Sequence, residues 1–337
     1  MSLVGTIGKV LVVPPDAPAG IINPRLIRFS FDERIIHSSF FTAVFETKEF
    51  QSLLMRRAQG GTMGVLNAGI LRPIHIPVPP VAEQRAIAAV LGDVDTLLTA
   101  LDALTSKKRN IKHAVTQQLL TGRQRLPGFS APWQTLEFAE LADNSIPWSI
   151  TGGPFGSSLK TSDYVDEGVR IIQLQNIGDG VFHDDYAIFT TPQKADELIS
   201  CNIYPGDIIL SKMGDPVARA CLVPPGADRY LMASDGIRLA VDPTRFDSRF
   251  VHGFLNSSSF RRKATEAAIG STRQRIGLKD LKRLPVLAPT LDEQRAIAAV
   301  LSDMDAEIAA LEAQRDKTRA IKQGMMQELL TGRIRLV

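Results

Sequence analysis

"EQRAIAAVLGDVDTLLTALDALTSKKRNIKHAVTQQLLTGRQRL", residues 83–126, returns at residues 293–336 as "EQRAIAAVLSDMDAEIAALEAQRDKTRAIKQGMMQELLTGRIRL". Aligned without a gap at an offset of 210, the copies agree at 26 of 44 positions, so the chain is built on an internal repeat. The offset reaches upstream: Phe40 and Phe50 fall on Phe250 and Phe260, Arg28 on Arg238, and Pro14-Pro15 on Pro224-Pro225. Residues 1–127 thus correspond to 211–337, and 128–210 have no second copy.

The repeated stretch reads as a long amphipathic helix. In the first copy Ile87, Val90, Leu91, Val94, Leu97, Leu98, Leu101, Leu104, Ile111, Val115 and Leu119 recur near a 3.5-residue period, the mark of a coiled-coil stripe. At 1.5 Å per residue such a helix runs roughly 60 Å. Gly122 and Gly332 supply left-handed stops. Thr290 and Glu293 have capping-box spacing, where the first copy has Pro80. Two stripes of this length predict an antiparallel pair, with Leu91, Leu98, Leu101, Leu119, Leu301, Ile308, Leu311 and Leu329 in the interface.

Around the helices the expected fold class is α+β. Residues 1–80 read as a partial domain, 81–126 as the first helix, 127–290 as a complete mixed domain of short strands, and 291–337 as the second helix. Strands are expected at "TIGKVLVVPP", "RLIRFSF" and the Pro-punctuated "ILRPIHIPVPP", with a helical patch in "FFTAVFETKEFQSLLMRRA". No run approaches the roughly 18 apolar residues of a membrane span. The opening lacks a signal peptide's basic region and cleavage site, and Cys201 and Cys221 are too few for a disulfide framework. A reducing cytoplasmic location is expected.

Charge is segregated behind a net +3. Residues 127–210 hold 3 basic and 12 acidic residues, 211–290 hold 14 and 7, and 1–80 hold 8 and 5. Basic half-domains suit a polyanionic partner. No Walker loop, zinc-ligand spacing, nucleophile elbow or clustered histidines occur, so neither catalysis nor a resident metal or cofactor is expected. The loop "GSTRQRIG" stands out instead: Thr272, Arg273, Gln274 and Arg275, with Arg261, Arg262 and Lys263 upstream. Arginine bonds bidentately to guanine and glutamine to adenine, while clustered cations neutralise phosphates. Lys212, Lys160, Ser157, Ser158 and, in the first copy, Thr62 are further candidates for DNA contact.

The order of globular unit, "EQRAIAAVL" helix ending in "LLTGR", globular unit and the same helix again resembles the DNA-specificity subunit of type I restriction-modification systems. The carriers are Glu83-Gln84-Arg85 to Leu91 with Leu119–Arg123, and Glu293-Gln294-Arg295 to Leu301 with Leu329–Arg333. "TGGPFGSSLK", "VRIIQLQNIGDG", "GDIILSKMGD" and "GSTRQRIGLKDLKRLPV" support them. The resemblance implies two target-recognition domains that read a split site in double-stranded DNA. It implies that the helices set the spacing and dock modification (methyltransferase) and restriction subunits. S-adenosylmethionine, ATP and Mg would belong to those partners, with no membrane association. The sequence departs from that family at its start, where the first recognition domain is shortened; a truncated or mis-started reading frame is the expected reason, against a missing piece supplied by another chain or a dead remnant. The competing class is a homodimeric coiled-coil DNA-binding regulator, or an inactive remnant of a specificity subunit.

Overall fold

The computed structural model describes residues 1–4, 7–14, 16–58, 65–270 and 273–336. They form α1 (Ser38–Glu46), α2 (Lys48–Arg57), α3 (Ala68–Leu71) and the long α4 (Val81–Leu119). The strands β1 (Gln134–Glu137), β2 (Ile150–Gly152), β3 (Tyr164–Val165), β4 (Val169–Ile172) and β5 (Ile188–Thr190) follow. Next come α5 (Pro192–Glu197), β6 (Asn202–Ile203), β7 (Ile208–Ser211), β8 (Ala220–Leu222), β9 (Tyr230–Met232) and β10 (Gly236–Leu239). The chain ends with α6 (Ser248–Leu255), α7 (Ser258–Glu266), α8 (Leu278–Lys282), β11 (Pro285–Ala288) and the long α9 (Leu291–Leu329).

The fold is α+β, and it divides into two units: residues 1–108 with 307–337, and residues 109–306. The long helices are therefore not bodies of their own. Unit 1 takes the first part of α4 and the last part of α9; unit 2 takes the complementary parts.

In unit 1, Phe40, Phe45, Phe50 and Leu54 pack with Ile87 and Leu91 of α4, with Met326 and Leu329 of α9 and with Leu330 just after it. Lys322 Nζ reaches Asp95 at 2.6 Å, so the start of α4 runs antiparallel to the end of α9. Unit 2 repeats the construction. Phe138, Phe250, Phe254 and Phe260 pack with Leu119 of α4, with Leu120 just after it and with Ile297 of α9, and Lys112 pairs with Asp305. Both pairs sit at the same repeat positions, 210 apart.

The repeated "EQR" explains itself here. Gln84 Oε1 accepts from His37 N at 2.8 Å, and its amide donates to Ile35 O and Pro79 O. Gln294 does the same with Asp247 N, Arg245 O and Pro289 O. Each glutamine thus satisfies backbone groups that would be costly to bury unpaired. The neighbouring glutamates take the arginine that ends the other copy. Arg335 donates twice to Glu83 at 2.6 Å, and Arg125 twice to Glu293 at 2.5 and 2.6 Å. This bidentate pairing replaces the expected capping box, for Glu293 faces Arg125 and Thr290 Oγ1 makes no hydrogen bond among the described residues.

Unit 2 holds three sheets. β1 pairs with β11; a four-stranded antiparallel sheet runs β2-β10-β7-β8; and a five-stranded sheet runs β3-β5-β4-β9-β6, with β4 and β9 parallel. Unit 1 shows no strand among its described residues, contrary to the expectation for "TIGKVLVVPP", "RLIRFSF" and "ILRPIHIPVPP". Only the bridges Ser2↔Leu26 and Val4↔Val65 are present. The reason lies in the ladders. In unit 2, β10 pairs with β2 and β7, and β11 with β1, and those partners come almost wholly from 128–211. The unit 1 counterparts of β10 and β11, 26–29 and 75–78, have no such partner, and a strand without a ladder is not formed.

Gly122 and Gly332 end the long helices at φ of +68° and +75°. The apolar stripe of α4 is only partly covered: Leu91, Leu101 and Leu119 are buried, whereas Val90, Leu97, Leu104 and Ile111, spaced by seven, are exposed. Leu98, Leu301 and Leu311 are half-buried; Ile308 and Leu329 are buried. No helix among the described residues is long and apolar enough to cross a membrane.

Candidate nucleic-acid interface

Residues 273–275 of unit 2 sit in a turn closed by reciprocal backbone bonds between Ile269 and Arg275, both 2.9 Å. Gly270 opens it at φ +104°, where a Cβ would lie 2.8 Å from Arg273 O, so the turn requires glycine. Gly214 N donates to Gln274 O, and Ile276 N to Lys212 O. With Ile276 buried as an anchor, Arg273, Gln274 and Arg275 are held beside Lys212. Arg275 pairs with Asp235 at 2.8 Å; Arg273 and Lys212 have no ion partner among the described residues.

Beside this turn lies a cleft of about 450 Å³ lined by Phe155, Gln173, Gln175, Arg219, Ser234 and Asp235. Its wall is the strap Gly152-Gly153-Pro154-Phe155-Gly156. A Cβ on Gly153 would lie 1.8 Å from Ala233 O, so only glycine lets the strap approach so closely. Phe155 at its tip is 86% exposed. Ser157, Ser158 and Lys160 continue the strap, and the Lys160 backbone donates to Asp163. Arg219 is half-buried and its Nε lacks a hydrogen-bond partner. The turn and cleft thus gather amide, guanidinium and aromatic groups from four separated stretches. That is the chemistry of base-edge and phosphate contact.

The remaining candidates fall elsewhere. Arg261 is buried, bonded to Leu255 O, Val217 O, Asp179 and Asn256, so its charge is spent within the unit and it leaves the set of contact candidates. Arg262 is exposed and faces Glu266; Lys263 is half-buried on the same helix. Thr62 and Thr272 lie outside the described residues. Sequence reading missed Phe155, Gln173, Gln175 and Arg219. The available signals were an aromatic in a Gly-Pro strap with no apolar periodicity around it, and the Gln-x-Gln of "IIQLQNIG".

Neither cysteine is poised as a nucleophile. Burial pushes the Cys221 thiol up to about 12 and also raises Cys201. Among the described residues there is no group of three or more His, Cys, Asp or Glu able to hold a metal ion.

The class defined by these features is an α+β repeat protein with two duplicated long helices, whose unit 2 bears a donor-rich cleft. The family model "Type I restriction modification DNA specificity domain" matches residues 1–112 and 172–318, most of the chain, and the chain belongs to that family. It is 22% identical over 330 residues to the type I restriction enzyme MjaVIII specificity subunit of Methanocaldococcus jannaschii, covering 94% of this chain and 75% of that protein. The EcoBI specificity subunit of Escherichia coli is 20% identical over 325 residues, covering 92% of this chain and 68% of that one. The fold is similar to that in a solved structure concerned with complex assembly and conformational transition of the type I R-M system. The TM-score is 0.61 at 19% identity, covering 95% of this chain and 77% of the other.

Proposed function

We propose that the chain selects DNA sequence for a type I modification and restriction complex, and that its unit 2 cleft reads one part of a split site. The supporting observation is the convergence of Arg219, Gln173, Gln175 and the Arg273-Gln274-Arg275 turn on one face with Lys212. Arginine and glutamine there discriminate guanine and adenine in the major groove, Phe155 stacks or wedges, and Lys212 and Lys160 neutralise phosphate. Catalysis belongs to partners: a methyltransferase subunit that uses S-adenosylmethionine, and a restriction subunit that uses ATP and Mg. The exposed Val90, Leu97 and Leu104 on the unit 1 part of α4 support docking of a partner helix, since an uncovered heptad row is a seam awaiting its match.

The test is co-purification with a modification subunit, followed by mapping of methylated adenines. A split methylated motif supports the reading; a single palindromic site without a methyltransferase partner favours the homodimeric regulator. Gln274→Ala and Arg219→Ala should each relax base choice at one position, by about 1–3 kcal/mol for a bidentate contact. An unchanged motif removes the residue from the readout.

A further inference from the structure

The cleft of unit 2 carries at its edge an aspartate–arginine pair that stability does not explain. Asp235 lines the cleft, and its Oδ1 accepts from Arg275 Nη2 at 2.8 Å. The two side chains are 27% and 49% exposed. Pairs as exposed as this contribute at most about 1 kcal/mol. Elsewhere in unit 2, Arg238 with Asp207 and Arg261 with Asp179 bury their guanidinium groups, which closes those arginines off from any ligand.

Backbone bonds pin both partners. Asp235 immediately precedes β10, whose Gly236 stands opposite Ser211 of β7, and its carbonyl accepts from Lys212 N at 2.6 Å. Arg275 exchanges backbone bonds with Ile269 and forms a further bridge to Met213, and Ile276 beside it is buried. The carboxylate therefore stands at the end of a sheet, and the arginine on a closed turn. Within the guanidinium, Nη2 alone meets the carboxylate; Nε and Nη1 make no hydrogen bond among the described residues. An arginine held in this way keeps donors free for a planar partner with two acceptors, while its own rotation is already restricted. Arg273, two residues earlier, is exposed and has no ion partner among the described residues to brace it.

We infer that Asp235 is a positioning residue that sets Arg275 to read guanine, which offers O6 and N7 as paired acceptors in the major groove. The inference rests on the proposed reading of the cleft as a DNA-binding face, and assigns one reader and its brace within it. Asp235 holds the guanidinium before DNA arrives, so less binding free energy is lost in ordering a long side chain. Its charge acts in the other direction, since a carboxylate at the cleft edge repels phosphate. Selectivity rises while general affinity falls.

The experiment selects binders from a randomised duplex pool with the full chain, its Arg275→Ala and Asp235→Ala variants, and the double variant. Arg275→Ala should lose preference for one G·C pair, on the order of tenfold or more. Asp235→Ala should weaken the same preference about two- to tenfold, the share set by ordering one arginine side chain. In the double variant the loss should equal that of Arg275→Ala alone. On an unrelated duplex, Asp235→Ala should bind as tightly as the parent or more tightly. Weaker binding there would mark a merely structural role and overturns the inference. An Asp235→Ala effect at another base pair, or one that adds to Arg275→Ala, would mean that the carboxylate contacts a base itself, and overturns it too. A motif that the parent selects and both variants leave unchanged removes this inference alone. If the parent selects no motif, the DNA-binding reading of the cleft falls and this inference with it.

Discussion

Arg28 and Arg238 stand at one position of the repeat, yet Arg238 is buried against Asp207 and Arg28 faces solvent. Leu231 and Ile21 differ in the same way. In contrast, the two long helices and the "EQR" and "GRxRL" residues behave alike in both units. The repeat therefore divides into parts whose partners are also repeated and parts whose partners occur once. Where the partner is duplicated the structure is duplicated; where it is not, even apolar, strand-prone sequence stays uncovered.

This contrast can be broken experimentally, and the largest effect is expected at the arginines. Arg238→Ala leaves Asp207 buried and unpaired, and should cost unit 2 about 3–5 kcal/mol in urea unfolding. Arg28→Ala should stay within about 0.5 kcal/mol. Equal losses would mean that Arg28 has a partner of the same kind. Next in size are the glutamines. Gln84→Ala and Gln294→Ala each strand part-buried backbone groups, and each should cost about 1–3 kcal/mol. A large difference between them would undo the claim that the units share one helix junction.

The Glu83–Arg335 pair sharpens the comparison through pH. The Arg335 hydrogen bond holds the Glu83 carboxyl below its ordinary 4.5, outweighing burial, which acts the other way. A carboxyl with a depressed pKa contributes stability at neutral pH that is lost as pH falls through its folded value. Unit 1 should weaken below pH 4.5 as this carboxylate protonates, and Glu83→Gln should flatten that limb of the curve. An unchanged acid limb would show that the pair does not govern it. The smallest effects belong to the inter-helix pairs. Asp95→Ala and Asp305→Ala should each cost no more than about 1 kcal/mol, with the loss shrinking at high salt.

Much of the architecture was legible because it is local or periodic. A 3.5-residue stripe, a glycine stop and a dense repeat are written in consecutive residues, so the extents of α4 and α9 followed from the sequence. The Arg273-Gln274-Arg275 turn was legible too, since glycine bounds it. The cleft beside it was not, because Phe155, Gln173, Arg219 and Asp235 are distant in sequence and meet only through sheet and strap packing. Arg261 was misplaced for the converse reason. Three consecutive cations look alike in sequence, and only the turn of α7 sends the first of them inward to Asp179, Asn256 and two carbonyls.

By itself, the sequence determined the duplication, the α+β class, the two long helices and the resemblance to a DNA-specificity subunit. Those rest on propensity, period and identity, which neighbouring residues carry between them. Tertiary structure alone decided that Glu83 and Glu293 bind the arginine closing the other copy rather than a helix cap. It alone decided that residues 26–29 form no strand while 236–239 do, and which apolar side chains of α4 remain exposed. Burial, ladder pairing and charge partners are relations between distant segments, and a segment's own residues do not record whether its partner is there.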